Sequence, residues 1–371
     1  MKQKIVGVIH ELTMGGAERM MVNILNHFAL NRKDTVHLIV FKNIGVLKEQ
    51  LAKSIKIHDL ESNSVKAGIP KCLLEVYRIK PNVVFSGIGH LNIALAPFIP
   101  LMRFFLSDTR WIARETNIVS LQNQESKYPK LFDFLYNRVY KNFDVIIAQS
   151  KDMKRDLESN YPKCFSKVTL INNPIDIKKV VKLSTESREF SFSNEKINLI
   201  TVGTLRYKKR QDLLLKSFAL LPEIYTLTIV GSGVEESRLK KLVLALDIEE
   251  RVVFAGHQSN PYPYMKYADL FILTSEHEGF PNVLLEANAL ALPIVSFSSP
   301  GGITEIIEEG INGFTVPYGK IEELALKIEE AIAYGFNREE VVDSVKRRFS
   351  EEIIFLHYEN IFYNERSRHG V

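Results

Sequence analysis

Short β-branched runs alternate with longer amphipathic stretches along the chain, and they do so in two series. The first series predicts strands at residues 4–10, 35–41, 82–87, 111–114, 144–150 and 167–173. The second predicts strands at residues 197–203, 225–231, 252–256, 270–275 and 294–298. Alternation of strands with helical stretches indicates a parallel sheet covered by helices. We therefore expect an α/β fold class with two doubly wound, Rossmann-like domains.

A polar and poorly periodic segment, residues 178–196, separates the two series and is the predicted linker. We accordingly predict an N-terminal domain at 1–178 and a C-terminal domain at 179–349. The last stretch, about 350–371, is predicted to be a helix that packs back on the first domain. Ligands of doubly wound sheets bind outside the carboxyl ends of the strands, so two such domains facing across a cleft predict an interdomain site.

The cysteine content and the N-terminus favour the cytoplasm. Cys72 and Cys164 are too few for a disulfide framework. The first apolar run is short, lacks a cleavage site, and is read as a strand rather than a signal peptide. The sequence contains no run of about 18 apolar residues, so no membrane-spanning helix is predicted. The predicted location is the cytoplasm, where the protein could lie at the inner face of the cell membrane.

Charge is unevenly spread along the chain. Residues 1–180 contain 27 Lys and Arg against 16 Asp and Glu, a net of +11, whereas the remainder has a net of −7. A basic first half indicates an anionic partner, which could be nucleic acid, anionic lipid or a phosphate-bearing acceptor. The excess could equally be solvated surface. No recognised nucleic-acid-binding module supports the first of these partners.

Two glycines follow the first predicted strand in the motif MGGAERMM (14–21). Gly15 and Gly16 allow close backbone approach, and the helix that follows offers free N–H groups to an anion. The signal is weak by itself, since a Gly-Gly pair more often marks a turn.

A cluster of four cations follows the strand that ends at Val202-Gly203. It consists of Arg206, Lys208, Lys209 and Arg210. The carboxyl end of a strand is where an α/β domain holds phosphate. A run of charge is usually a solvated face, so we expect one or two of the four to bind phosphate.

The segment EHEGFPNVLLEA (276–287) places two glutamates around a helix start, with seven residues between them. Pro281 suits a first helical turn, which leaves the N–H groups of Phe280, Asn282 and Val283 for an anion. A carboxylate at Glu286 suits the hydroxyls of a ribose, and one at Glu278 could reach a second sugar. The alternative is that Glu278 lies in an exposed loop and Glu286 pairs with a nearby cation.

Together these segments resemble the retaining glycosyltransferases of family 4, which have the GT-B fold and of which many act in bacterial surface polysaccharide synthesis. The resemblance covers nearly the whole chain. It runs through GGAER, INNPID, VGTLRYKKRQDLLLKSF, TIVGSGVEESRLKKL, EGFPNVLLEANALALPIVS and GGITEIIEEGINGFTVP.

The resemblance implies a role for each of the motif residues. Gly15 and Gly16 would approach the donor diphosphate from the first domain, and Lys209 would bind phosphate. Glu278 would hold the donor sugar, whereas Glu286 would hold the nucleotide ribose. The amides at the helix start between the two glutamates would bind the diphosphate or the sugar.

The chain departs from the family pattern at two places. Thr204 stands where the family usually has an arginine, and Arg206 is the candidate replacement. The histidine that many relatives present near the donor sugar is missing from the segment WIARETN (111–117). Arg114, Glu115 and, at another strand end, His90 are the candidate acceptor or sugar contacts in its place.

The chain contains no Asp-x-Asp segment of the kind that holds Mg²⁺ in many transferases. A departing nucleoside diphosphate needs fixed positive charge or oriented N–H groups, which Lys209, Arg206 and helix starts could supply. We therefore expect metal-independent transfer that retains the anomeric configuration, with no cofactor and no covalent sugar–enzyme intermediate. The donor is expected to be a UDP-sugar, with GDP-mannose as the alternative, and the group moved is a hexose or an N-acetylhexosamine.

The acceptor is expected to be a growing lipid-linked glycan or polysaccharide. Residues 96–106 are apolar with one arginine, and residues 127–132 mix aromatics with lysines, which suggests peripheral contact with an anionic membrane. Both segments could instead simply pack on the sheet. Two other functions stay open: a nucleotide-sugar epimerase on the same fold, and a catalytically degenerate subunit that only binds nucleotide sugar.

Overall fold

The computed structural model describes residues 2–13, 15–186, 192–193 and 195–363. The chain forms two compact units, and the first unit ends at Asn173 and resumes at Ile354. The second unit runs from Pro174 to Ile353. Each unit is built on one parallel sheet, in agreement with the predicted α/β fold class.

The first unit contains a seven-stranded sheet in the order β3-β2-β1-β4-β5-β6-β7, with every pair of neighbours parallel. Its strands are β1 (Lys4–Ile9), β2 (Thr35–Val40), β3 (Lys56–Asp59), β4 (Val83–Ser86), β5 (Arg110–Arg114), β6 (Val145–Ala148) and β7 (Val168–Leu170). Its first helices are α1 (Gly16–Leu30), α2 (Val65–Ile79), α3 (Gly89–Leu95), α4 (Ile99–Phe105), α5 (Val119–Gln124), α6 (Pro129–Val139) and α7 (Lys151–Asn160).

The second unit contains a six-stranded parallel sheet in the order β10-β9-β8-β11-β12-β13. Its helices are α8 (Ile177–Leu183), α9 (Gln211–Phe218), α10 (Glu236–Ala245), α11 (Tyr262–Lys266), α12 (Asn282–Ala289), α13 (Ile303–Ile306), α14 (Ile321–Tyr334) and α15 (Arg338–Phe349). Its strands are β8 (Ile197–Val202), β9 (Tyr225–Val230), β10 (Val252–Gly256), β11 (Leu270–Leu273), β12 (Ile294–Phe297) and β13 (Gly313–Val316). The last described helix of the chain is α16 (Glu351–Phe362).

The predicted linker is wrong in its first part, because residues 177–183 form α8. Asp176 caps this helix by accepting a hydrogen bond from the Lys179 amide at 2.9 Å, and Val180 is buried in the core of the second unit. The division therefore falls at Pro174 rather than after residue 178. Within the predicted linker, residues 187–191 and 194 lie outside the described part of the chain.

Helix α16 lies on the first unit through its apolar side chains. Phe355, Tyr358 and Phe362 are buried in the core of that unit, and the ring of Phe362 stacks on Phe28 with centroids 4.3 Å apart. The predicted extension of this helix over residues 364–371 lies outside the described residues. Among the described helices, none is both long and apolar enough to cross a membrane.

Both sheets have a point where the strand order changes direction. In the first unit, the strand order runs outward from β1 through β2 to β3 on one side, and from β4 through β5 and β6 to β7 on the other side. In the second unit the same reversal occurs between the neighbouring strands β8 and β11. Loops that leave the carboxyl ends of such a pair diverge, and the crevice between them is the usual ligand site of an open α/β sheet.

Candidate functional site

Two loops meet at the reversal point of the second sheet, and they carry most of the predicted site. The loop after β8 contains the cluster of cations, and the loop after β11 contains Glu278. The Glu276 amide donates to the Lys208 carbonyl at 2.8 Å, and the Thr274 hydroxyl donates to the Arg210 carbonyl at 3.0 Å. These bonds fasten one loop to the other and fix the backbone from which the functional side chains project.

The four clustered cations have different environments. Arg210, in the left-handed region at φ 49°, donates to Asp212 at 3.0 Å and to the Tyr318 hydroxyl at 2.9 Å, so its guanidinium is committed to holding the loop. Arg206 is exposed, and its side chain makes no hydrogen bond or ion pair with the described residues. Among the described ion pairs, Lys209 is the member of the cluster that joins another predicted site residue.

Lys209 and Glu278 form an ion pair, with the Lys209 Nζ donating to Glu278 Oε1 at 2.5 Å. Both side chains are largely buried, with exposures of 21% and 14%. Burial alone would raise the pKa of the Glu278 carboxyl, but the charge and hydrogen bond of Lys209, with the charge of Lys208, hold that pKa below its usual range. The carboxylate is therefore ionised at neutral pH.

The backbone beneath Glu278 packs tightly against the loop after β12. The Glu278 amide donates to the Pro300 carbonyl at 3.0 Å, and the Gly302 amide donates to the Gly279 carbonyl at 3.0 Å. Gly301 has φ +124°, and a Cβ atom there would lie 2.1 Å from the Glu278 carbonyl oxygen. Only glycine fits both that conformation and that approach.

Helix α12 begins at Asn282, directly after Pro281, which occupies the cap position. The Phe280 side chain is buried and meets the ring of Phe349 with centroids 5.5 Å apart, so only its main chain is available to a ligand. Within the described residues, the amides of Phe280 and Val283 have no hydrogen-bond acceptor in the protein. An anion at this helix start could take those donors.

Glu286 lies one turn into α12 and is half-buried. The hydroxyl of Tyr262, on α11 after β10, donates to Glu286 Oε1 at 3.1 Å. Sequence reasoning missed Tyr262, because 24 residues separate it from Glu286 and no local pattern links them.

At the reversal point of the first sheet, Gly15 caps α1 and Gly16 is its first residue, whereas Met14 lies outside the described residues. A Cβ atom on Gly15 would lie 2.0 Å from Glu18 Oε2, so the Glu18 carboxyl folds back over the helix start. Burial, with the charge of Glu11, raises the pKa of Glu18. Sequence reasoning gave Glu18 no role, and here it lies where the two glycines were expected to meet an anion.

His90 lies near the start of α3, after β4, and is exposed. Its ring meets the ring of His10, at the end of β1, edge to face with centroids 5.9 Å apart. The structure therefore brings His90 to the reversal point of the first sheet, as the only exposed side chain among the three replacements considered for the family histidine.

Arg114 and Glu115 are buried, with exposures of 1% and 0%, so neither can contact an acceptor or a sugar in this structure. Arg114 donates to the Tyr358 hydroxyl at 3.2 Å and to Asn173 Oδ1 at 2.6 Å. Glu115 accepts a bond from Asn92 at 3.0 Å, and burial raises its pKa to about 8. Instead of facing a ligand, both side chains belong to an internal polar network, in which α3 and α16 supply the partners Asn92 and Tyr358.

A separate cavity of about 310 Å³ lies at the opposite edge of the second sheet, beside Ile197, Asp269 and Pro293 at the amino ends of the strands. It contains none of the predicted site residues. Among the described residues, no three His, Cys, Asp or Glu side chains form a group that could hold a metal ion.

Two family models match the chain. The model of glycosyltransferase family 4 matches residues 14–179, and the model of glycosyl transferases group 1 matches residues 184–348. The first match covers the first unit from α1 to β7 and ends within α8, and the second covers the two loops that carry Lys209 and Glu278.

Several relatives are similar over most of the chain. An uncharacterized glycosyltransferase of Haemophilus influenzae is 37% identical over 84% of this chain and 84% of that protein. The N-acetylgalactosamine-N,N'-diacetylbacillosaminyl-diphospho-undecaprenol 4-alpha-N-acetylgalactosaminyltransferase of Campylobacter jejuni is 28% identical over 85% of this chain and 86% of that protein. An uncharacterized glycosyltransferase of Methanocaldococcus jannaschii is 30% identical over 65% of this chain, and the match spans 62% of that protein, less than two thirds of its length.

Solved structures share the fold. The Anabaena protein HepE, solved in complex with UDP-glucose, has a TM-score of 0.78 and covers 98% of this chain and 100% of its own. At 19% identity this likeness concerns the fold alone.

Proposed function

The chain belongs to the GT-B glycosyltransferases, and from that premise we propose that it moves a hexose or N-acetylhexosamine from a nucleoside-diphosphate sugar to a growing lipid-linked glycan or polysaccharide. The observation that carries the proposal is the Lys209–Glu278 pair at the reversal point of the second sheet. It joins a cation suited to phosphate and a carboxylate suited to sugar hydroxyls within one hydrogen bond.

We propose that the donor lies along the start of α12. The diphosphate takes Lys209, which is bound to Glu278 before the donor enters, and the amides of Phe280 and Val283, which have no acceptor within the described residues. Glu278 accepts hydrogen bonds from the donor sugar. Glu286, fixed by Tyr262, accepts hydrogen bonds from the ribose hydroxyls.

The chemical step in this proposal is departure of the nucleoside diphosphate. Negative charge develops on the phosphate oxygen as the bond to the anomeric carbon breaks, and Lys209 with the α12 amides stabilises it. The acceptor hydroxyl attacks from the face that the diphosphate leaves, through an oxocarbenium-like state, so the anomeric configuration is retained. In this proposal the step needs no metal ion. Transfer that persists in EDTA and a product with the donor's anomeric configuration would support both points, whereas a trapped glycosyl–enzyme would contradict the second.

The proposed donor is a UDP-sugar, with GDP-mannose as the alternative. The name of the Campylobacter relative describes transfer to an undecaprenol-diphosphate-linked glycan, which supports a lipid-linked acceptor for this chain. It also agrees with the net charge of +11 over residues 1–180, because a diphosphate-linked lipid is anionic.

A thermal-shift panel with UDP, GDP, ADP and their sugars tests the donor site. A bound nucleotide stabilises the folded protein by mass action, so one nucleoside should raise Tm more than the others. Glu286→Ala should lose most of that stabilisation because the ribose loses its acceptor. Glu276→Ala, in the same loop system but outside the proposed contacts, is the control. A Glu286→Ala protein that keeps the full nucleotide shift would contradict the ribose role.

We also propose that the first unit rests on an anionic membrane through exposed faces of α4 and α6. On α4, Leu101, Phe104 and Phe105 are 59%, 84% and 55% exposed. On α6, Leu131 and Phe134 are 52% and 59% exposed and lie among cations. Aromatics beside cations suit the interface of an anionic bilayer.

Sedimentation with anionic vesicles at low and high salt tests this surface. We expect salt-sensitive binding that is weakened in a Phe104→Ser variant. Leu326→Ser on α14, where the leucine is 66% exposed, is a matched control that should bind as wild type does. Binding that is absent at low salt, or equally weakened by both changes, would remove the membrane from the proposal.

A further inference from the structure

The two oppositely charged side chains of the proposed donor site are each other's partner before any ligand enters. Lys209 Nζ lies 2.5 Å from Glu278 Oε1, and both groups are mostly buried. A ligand phosphate that binds Lys209 therefore comes close to the Glu278 carboxylate, whether it shares the ammonium, which has three N–H donors, or draws it away. An unpaired buried carboxylate is costly.

If the proposed function holds, the donor and the nucleoside diphosphate left after transfer differ in the groups that they bring to Glu278. A nucleoside-diphosphate sugar brings hydroxyl groups that can donate to Glu278 while Lys209 binds the phosphates. The nucleoside diphosphate that remains after transfer has no sugar there. Its terminal phosphate carries additional negative charge near neutral pH, because the second ionisation of a phosphate monoester occurs near pH 6.

We propose that Glu278 makes the site discriminate between the donor and the spent nucleoside diphosphate: it accepts hydrogen bonds from the donor sugar and repels the terminal phosphate. This inference rests on the proposed function and adds to it a role in product release. The carboxylate acts on the bound nucleotide by its charge, and removing the charge while keeping the shape should abolish the discrimination.

The backbone geometry keeps the carboxylate in place. The Glu278 amide is held by the Pro300 carbonyl at 3.0 Å, and the Gly301 backbone lies against the Glu278 carbonyl. On the other side, the Lys209 amide donates to the Arg206 carbonyl at 2.9 Å, and the Lys209 carbonyl accepts from Thr274 at 3.2 Å. These contacts fix the main chain on both sides, so the two charges project from backbones that are held beside the proposed donor site.

Isothermal titration of the intact protein with UDP and UDP-glucose, and with GDP and GDP-mannose, tests the inference. The quantity to compare is the ratio of Kd for the nucleoside diphosphate to Kd for its sugar. In Glu278→Gln this ratio should fall roughly tenfold, since the repulsion of a mostly buried charge a few ångströms away is lost. Glu278→Asp keeps the charge and should keep most of the wild-type ratio.

Glu276→Gln is the matched control, because it removes the same charge two residues away in the same loop. Its ratio should stay within about twofold of wild type, as expected for a partly exposed charge outside the proposed contacts. A Glu278→Gln ratio equal to that of wild type, or an equal fall in Glu276→Gln, would overturn the inference while leaving nucleotide binding intact. Failure of the wild-type protein to bind either nucleotide pair would instead contradict the proposed donor site, and this inference with it.

Discussion

Glu115 is a buried carboxyl group whose ionisation should oppose folding. Burial raises its pKa to about 8 in the folded protein from an ordinary value of 4.5. Folding therefore takes up a proton between these pH values, and the stability that this group contributes is lost as pH rises from about 4.5 through about 8. Gln has the same shape and cannot ionise.

We predict that Glu115→Gln is more stable than wild type at pH 8.5, by on the order of 1–3 kcal/mol. The advantage should shrink toward pH 5, where the wild-type carboxyl is protonated. Thermal unfolding across this pH range measures the difference, with Glu250→Gln on the surface of the second unit as a control. An advantage that is constant with pH would show that Glu115 is not protonated in the folded protein.

The burial of Arg114 and Glu115 could not be predicted from the sequence. The motif RETN places both after a strand, but a strand's end can lie at the sheet surface or beneath neighbouring helices. Here Asn92 of α3 and Tyr358 of α16 cover them. Tyr358 is separated from Arg114 by 244 residues, so only the fold shows the contact.

The loop after β12 supports the glutamate loop through Gly301. We predict that Gly301→Ala destabilises the protein by on the order of 2–4 kcal/mol, because the new Cβ would clash with the Glu278 carbonyl oxygen in addition to straining φ +124°. Affinity for the donor should fall with it, since the clash displaces Glu278. Chemical unfolding and nucleotide titration provide the two readouts.

Gly335→Ala separates the effect of φ from the effect of the clash. Gly335 ends α14 at φ +67°, and a Cβ there would meet nothing within 4 Å. Its replacement should cost about 1 kcal/mol and leave donor binding unchanged. Similar effects of the two substitutions on donor binding would contradict a supporting role for the loop after β12.

The sequence predicted most elements because apolar runs at strand spacing are buried on both faces of a parallel sheet. All of the strands predicted in both series are confirmed, with ends that differ by a few residues. Strands β3 and β13 were missed; both are short strands at a sheet edge, and β3 is also half-exposed. Helix α8 was taken for linker because its exposed face is lysine-rich.

The predicted motifs lie at the strand-order reversals. The positions of these reversals are set by the topology of each sheet, so no local sequence pattern shows them. Gly15 and His90 flank the reversal of the first sheet, and Lys209 and Glu278 flank that of the second. From the sequence, each of these residues was predicted to follow a strand. Which strand lies next to that one in the sheet could not be predicted. That Glu278 pairs with Lys209, 69 residues earlier, depends on β8 and β11 being neighbours.

Charge and exposure distinguish the two units. The first half of the chain is basic and bears the exposed aromatics of α4, whereas the second half is acidic yet contains the Lys209 site. Acidic surroundings repel an anion unless a specific cation and oriented amides bind it. The donor site therefore depends on few groups, and removing one of them should have a large effect.

Transfer of a labelled sugar from its nucleotide donor to a lipid-linked glycan acceptor tests the central claim most directly. We predict that Lys209→Met lowers kcat/KM by about 100-fold or more, since one fixed charge on the leaving group is lost. Lys208→Met, one residue earlier in the same loop, should change it by about threefold at most. Wild-type transfer in the Lys209→Met protein, or equal losses in the two variants, would contradict the placement of the donor diphosphate at Lys209.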